Sequence, residues 1–107
     1  MANKYELIES DTVQYAGSTL YRIRALVAVG LIVAAGDVGG YVESEKNLDQ
    51  SGDAWVYGDA QVSGDAQVYG DAQVSGDAQV YGDARVYGDA RVSGDARVYG
   101  DAQVSGD

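Results

Sequence analysis

From residue 52 onward, apolar and polar positions alternate in a fixed six-residue pattern, Gly-Asp-Ala-x-Val-[Tyr/Ser]. Valine recurs at 56, 62, 68, 74, 80, 86, 92, 98 and 104, and an alanine stands two positions before each. Residues two apart in an extended chain point to the same side, so Ala and Val share an inner face while x and Tyr/Ser face outward. A six-residue unit is too short for a pair of helices and too small to bury its own valine, so the units must stack on one another. Val and Tyr favour extended chain. The Gly-Asp step supplies a corner, because Gly accepts positive φ and Asp can hydrogen-bond to backbone nearby. The pattern predicts an all-β solenoid, a coil of short strands around a narrow core of Ala and Val.

The first 50 residues have a different texture. Over residues 20–29, Tyr21, Ile23, Ala25, Val27 and Val29 share one face, which predicts a strand. Residues 5–8 predict a shorter strand, and Ala16-Gly17-Ser18 a turn. Gly30 breaks the next piece, and Leu31, Ile32 and Val33 are expected to be buried on both sides. Gly36-Asp37 and Gly39-Gly40 read as turns that anticipate the repeat. Val42 and Leu48 are six apart, so a first degenerate coil is expected to begin near Tyr41, with a two-residue insertion before Ser51 shifting the register. Repeat arrays need ends that hide their core and strand edges. Residues 1–50 are therefore expected to form an N-terminal β cap with the first degenerate coil, and residues 51–107 the regular solenoid. The pattern stops within a unit, at Ser105-Gly106-Asp107. That predicts coverage of the last coil by further chain or by another copy, and favours a homo-oligomer.

Charge narrows the partners. Seventeen acidic residues against seven basic ones give a net charge of −10, which argues against direct binding to nucleic acid or to an anionic membrane. It fits a soluble protein or one that binds a basic surface. Arg22 and Arg24 precede an apolar run over residues 25–35 that imitates a secretory signal, yet Glu6, Glu9 and Asp11 stand before it. The run is also far short of the ~20 residues needed to cross a bilayer. Buried strands and a cytoplasmic location are expected.

The phrase Val-[Tyr/Ser]-Gly-Asp-Ala-x resembles the hexapeptide repeat of left-handed β-helix proteins, where an aliphatic residue is followed four places later by a small one. Here the pairs run from Val56/Ala60 to Val98/Ala102. One departure is that Tyr or Ser stands where the family usually has Gly, Ala, Glu or Asp. The N-terminal half is similar to phage- and prophage-encoded hexapeptide proteins often labelled transferases. The matching residues are Lys4-Tyr5-Glu6-Leu7, residues 20–26, Gly39-Gly40-Tyr41-Val42, Asn47-Leu48 and Gly52-Asp53-Ala54-Trp55-Val56. The resemblance implies a left-handed parallel β-helix with three hexapeptides per coil, so that residues 18 apart stack at the ~4.8 Å strand spacing. Val56, Val74 and Val92 would then share one face, Val62, Val80 and Val98 the second, and Val68, Val86 and Val104 the third.

The family's acyltransferases use a histidine base and its carbon dioxide hydratases three histidine ligands, but this chain has neither His nor Cys. The repeat serines 63, 75, 93 and 105 have no visible general base other than neighbouring Asp, and a Ser nucleophile needs a positioned base. No catalytic residue, cofactor or metal site is expected, and the transferase label does not carry over. Two surface features remain. Stacking would place Asp53, Asp71, Asp89 and Asp107 on one corner, Asp59, Asp77 and Asp95 on a second, and Asp65, Asp83 and Asp101 on the third. Each Asp can be turn chemistry, and together they form a polyanion. Tyr57, Tyr69, Tyr81, Tyr87 and Tyr99 should face outward, with Tyr81 over Tyr99 and Tyr69 over Tyr87, as a partner interface or as sheet-stabilising pairs. Trp55, in place of the usual Gln or Arg, is expected to pack under the cap. The expected function is a phage-type binding protein whose acidic, rod-like surface engages a host protein, as an inhibitor imitating nucleic acid. The rival is a purely structural or self-assembling module, and an acyltransferase-like activity is the least favoured.

Overall fold

The structure is a computed structural model, and it describes residues 4–15, 17–30, 33–50 and 52–106. Among these are twelve strands, one 3-10 turn at Glu45–Asn47 and no α-helix. Strands β4 (Trp55–Val56), β5 (Gln61–Val62), β6 (Gln67–Val68), β7 (Gln73–Val74) and β8 (Gln79–Val80) begin at six-residue intervals. The series continues with β9 (Arg85–Gly88), β10 (Arg91–Val92), β11 (Arg97–Val98) and β12 (Gln103–Gly106). Every third strand pairs in parallel: Val56 with Val74 and Val74 with Val92, Val62 with Val80 and Val80 with Val98, Val68 with Val86 and Val86 with Val104. The fold is a parallel β-solenoid whose coil takes 18 residues.

Inside, Ala and Val fill the coil without exposure from Ala54 to Val86. Exposure rises only in the last coils, to 4% at Val92 and 8% at Val98. Below the regular array lies a longer register. Val42 pairs with Val62 and Leu48 bridges Val68, so the first coil spans 20 residues where later coils span 18. The extra pair, Asp49 and Gln50, is the insertion read from the sequence.

The N-terminal strands close this end. β1 (Tyr5–Tyr15) and β2 (Ser18–Ala25) form an antiparallel hairpin, β2 pairs antiparallel with β3 (Val38–Val42), and β3 joins β5 in parallel. One sheet thus runs β1-β2-β3-β5-β8-β11, from cap into solenoid. Trp55 is buried beneath this cap and meets Tyr5 edge-on, with ring centroids 6.2 Å apart.

Several local expectations need correction. The strand expected over 20–29 starts at Ser18 and ends at Ala25, because the N–H groups of Ala25 and Leu26 turn to Asp37 and Lys4 carbonyls. Val27 is therefore exposed, while Val29 is buried in a separate bridge to Val33. β1 is 11 residues long and outlasts the expected 5–8, with a register shift between Ile8 and Thr12. Gly39 and Gly40 are not a turn. They lie within β3, where an added Cβ would stand 2.3 Å from the Val56 carbonyl oxygen and 2.4 Å from that of Ala60. These glycines let the cap strand settle onto the first coil. Ala16, Leu31, Ile32 and Asp107 lie outside the described residues. The molecule is also not rod-like, since its extents are 34 × 31 × 26 Å. Three regular coils rise only about 14 Å, less than the breadth of the capped coil.

Candidate binding surface

The corners share one backbone pattern, and the three that face the cap also take side chains: Lys4 donates to Gly52 O, Arg22 to Gly58 O and Asn47 to Gly64 O, while Glu43 accepts from Gly64 N–H. The Gly of each step from Gly52 to Gly100 has φ between 61° and 74°. The following Ala N–H closes the turn onto the preceding Tyr or Ser carbonyl, as from Ala60 to Tyr57 at 3.2 Å and from Ala78 to Ser75 at 3.3 Å. The Asp N–H donates to the Gly carbonyl one coil on, as from Asp65 to Gly82 at 3.0 Å and from Asp77 to Gly94 at 2.9 Å. Glycines consequently stack on glycines. A Cβ at Gly76, already at φ 68°, would stand 2.9 Å from the Gly94 nitrogen.

The aspartate side chains take no part in this turn chemistry. Among the described residues, no repeat carboxylate accepts a hydrogen bond from the backbone of its own corner. The turn role expected from Asp propensity is thereby corrected: the residue's main chain serves the corner and its carboxylate does not. A local Asp turn does exist elsewhere, where Asp37 Oδ2 accepts from the Ala34 N–H at 3.0 Å. Only two of the repeat carboxylates are in ion pairs among the described residues: Asp59 with Arg22 at 3.3 Å and Asp65 with Lys46 at 2.8 Å. The ammonium of Lys46 holds the Asp65 carboxyl below its usual range. Asp53, Asp71, Asp77, Asp83, Asp89, Asp95 and Asp101 are exposed on the three corners.

Among the described residues, repeat tyrosines form two stacks. Tyr69 and Tyr87 lie 5.2 Å apart at 7°, and Tyr81 and Tyr99 lie 5.5 Å apart at 12°. Stacking uses one face of each ring. Tyr57 is not a free surface residue. It is half-buried against the core, and burial raises its pKa. Between the rings and the acid column of the β6-β9-β12 sheet, Gln67, Arg85 and Gln103 stand in register.

The junction of cap and solenoid holds polar residues whose spacing gave no warning. Lys4 is buried, and its ammonium donates to the Ala54 carbonyl at 2.8 Å. Burial lowers its pKa to about 8, against the fields of Asp49 and Asp53. Tyr5 donates its hydroxyl to the Glu45 and Leu48 carbonyls, and burial raises its pKa strongly. Asn47 stands in for a strand residue: its side-chain amide donates to Ala66 O at 2.8 Å and accepts from Ser44 N at 2.8 Å. Arg22 donates to Gly39 O at 2.7 Å and to Asp11 at 3.0 Å, and so ties the cap to the Asp59 corner.

Two clefts open on the face of the β6-β9-β12 sheet. The first, about 600 Å³, is lined by Glu45, Lys46, Asp49, Gln50, Gln67 and Tyr69 among others. The second, about 430 Å³, is lined by Asp65, Asp83 and Asp101 with Gln67, Arg85 and Gln103. They share Gln67 as a lining residue. Among the described residues, no group of three or more acidic side chains is placed to hold a metal ion. No helix is long and apolar enough to cross a membrane.

The comparisons with known proteins agree with the coil. The model of the YdcK beta solenoid repeat matches residues 78–92 and 90–106, two overlapping stretches of the regular array. No curated protein matches the chain. Strand stacking and the matched repeats together make this chain a repeat protein of the β-solenoid type.

Proposed function

We propose that the chain is a binding module without chemical activity, whose acidic corners dock on a basic surface of a macromolecular partner. One observation carries the reading: the repeat carboxylates stack in like-charge columns while contributing no hydrogen bond to the corners they occupy. Two unit charges ~4.8 Å apart repel by on the order of 1 kcal/mol in water before salt screening. A column that lowers stability and closes no turn is more readily understood as a surface kept for contact. The lack of His and Cys supports a non-catalytic role.

Charge density points to the partner class. Ten carboxylates and three arginines leave residues 53–107 at −7. Three carboxylates per ~4.8 Å coil is about one per 1.6 Å of axis, close to the one per 1.7 Å of duplex DNA. Three coils, however, match only about four base pairs in length. The fitting partner is a nucleic-acid-binding protein that offers a compact basic patch of that size. The resemblance of the cap to phage- and prophage-encoded proteins suits an inhibitor in the bacterial cytoplasm. That setting and a left-handed coil are part of the proposal.

The test is capture from bacterial lysate on immobilised protein, with duplex DNA as competitor and salt varied. A partner released by DNA and by moderate salt supports the reading. Recovery of the chain only with itself sinks it and leaves a structural or self-assembling module. A partner indifferent to both agents moves the contact to the tyrosine stacks.

A further inference from the structure

We propose that the cleft beside Tyr69 is a socket for one arginine side chain of a basic partner, a reading that rests on the docking function above and says where a partner residue is held. Tyr69 is the lower ring of a two-ring stack. Tyr87 covers one face at 5.2 Å. At the position below, register places Asp49, whose N–H donates to the Val68 carbonyl at 3.0 Å. A tyrosine there would continue the stack, whereas an aspartate leaves the ring bordering the cleft.

The lining suits a guanidinium. A planar cation laid against the ring gains cation–π attraction, and it lies among the carboxylates of Glu45 and Asp49, which its fork of donors can meet. The cleft's own cation does not fill it, because Lys46 is turned to Asp65 at 2.8 Å. Gln50 adds a second, independent feature. Its Oε1 accepts from the Lys4 and Tyr5 N–H groups at 2.7 and 3.3 Å, which fixes the amide's orientation. Its Nε2 is buried without a hydrogen-bond partner. An unsatisfied buried donor is costly, and a shift of this side chain that brings Nε2 to the cleft would let the carbonyl oxygen of a peptide carrying the arginine satisfy it. A peptide leaving the socket past Gln67 enters the second cleft, beside the column of Asp65, Asp83 and Asp101.

The test uses the full chain, labelled with ¹⁵N and titrated with N-acetyl-arginine amide or with its uncharged counterpart N-acetyl-citrulline amide. Saturable shifts are expected at Asp49, Gln50 (including its side-chain NH₂) and Tyr69, with citrulline about tenfold weaker or worse. Tyr69→Leu should weaken arginine binding about two- to fivefold. Asp49→Asn, which keeps the side chain's shape, should also weaken it, and Glu9→Gln on the cap hairpin, outside the cleft and the acid columns, should not. Equal binding of citrulline overturns the socket, as does shift change spread evenly over all three corners, or preferential occupation by a neutral oligosaccharide. If those results accompany a partner that salt still releases, the docking function stands and only the socket falls. A saturating cleft in a chain that captures no partner leaves the socket and removes the polyanion reading.

Discussion

At the scale of single residues, the repeat aspartate is the position where sequence propensity and folded chemistry part. Asp77 stacks between Asp59 and Asp95, with its N–H on Gly94 O and no backbone donor on its carboxylate. Asp77→Asn should therefore leave stability unchanged or raise it by on the order of 0.5 kcal/mol. Urea midpoints at low and high salt check this, and the gain should shrink as salt rises. A clear loss would mean that the carboxylate supports the corner after all. Gly39→Ala should behave oppositely, losing about 3 kcal/mol or more, because its Cβ would stand 2.3 Å from the Val56 carbonyl oxygen. Lys4 and Tyr5 give an alkaline signature. Between pH 8 and 10.5 the unfolded chain holds a proton on Lys4 that the folded chain has released, so stability rises with pH across that window. Above pH 10 the unfolded chain loses the Tyr5 proton while the folded chain keeps it, so stability falls. Unfolding midpoints measured from pH 7 to 11 should climb from about 8 and peak near pH 10. Lys4→Met should flatten the rise and spare the fall.

At the scale of elements, each strand of the array is a stretch of two to four residues that exists because a neighbour lies above or below it. Val80 in β8 has partners on both sides, in β5 and β11, and no exposure. Val80→Ala should cost about 2 kcal/mol. Val98→Ala, in the partly open β11, should cost less, and denaturant midpoints of the two variants compare them directly. This part of the fold was legible because period and inner face are written in every unit. The register of the first coil was legible too, since Val42, Leu48 and the two extra residues before Ser51 are visible as a broken period. The cap was legible only in outline. Its strand ends are set by distant backbone groups, the Lys4 and Asp37 carbonyls, which no local pattern announces. Gly39 and Gly40 misread as a turn for the same reason: a glycine needed for space looks like a glycine needed for φ. The stacking of Tyr69 on Tyr87 and of Tyr81 on Tyr99 could be read from the 18-residue coil. The partial burial of Tyr57 could not, because it depends on the packing around the first regular coil.

At the scale of the whole molecule, a short triangular block presents three acid columns, two tyrosine stacks and one cleft at the seam of cap and coil. Its extents of 34 × 31 × 26 Å make it compact, and the docking proposed for it would engage one basic patch. The central claim is that the acid columns are kept for a partner. Capture from lysate should be compared between the native chain and the triple variant Asp71→Asn, Asp77→Asn and Asp83→Asn, which neutralises one residue on each corner. The account predicts a partner that the native chain holds at low salt, that duplex DNA displaces, and that the folded variant retains weakly or not at all. A partner held equally by both proteins and untouched by DNA or salt would contradict it.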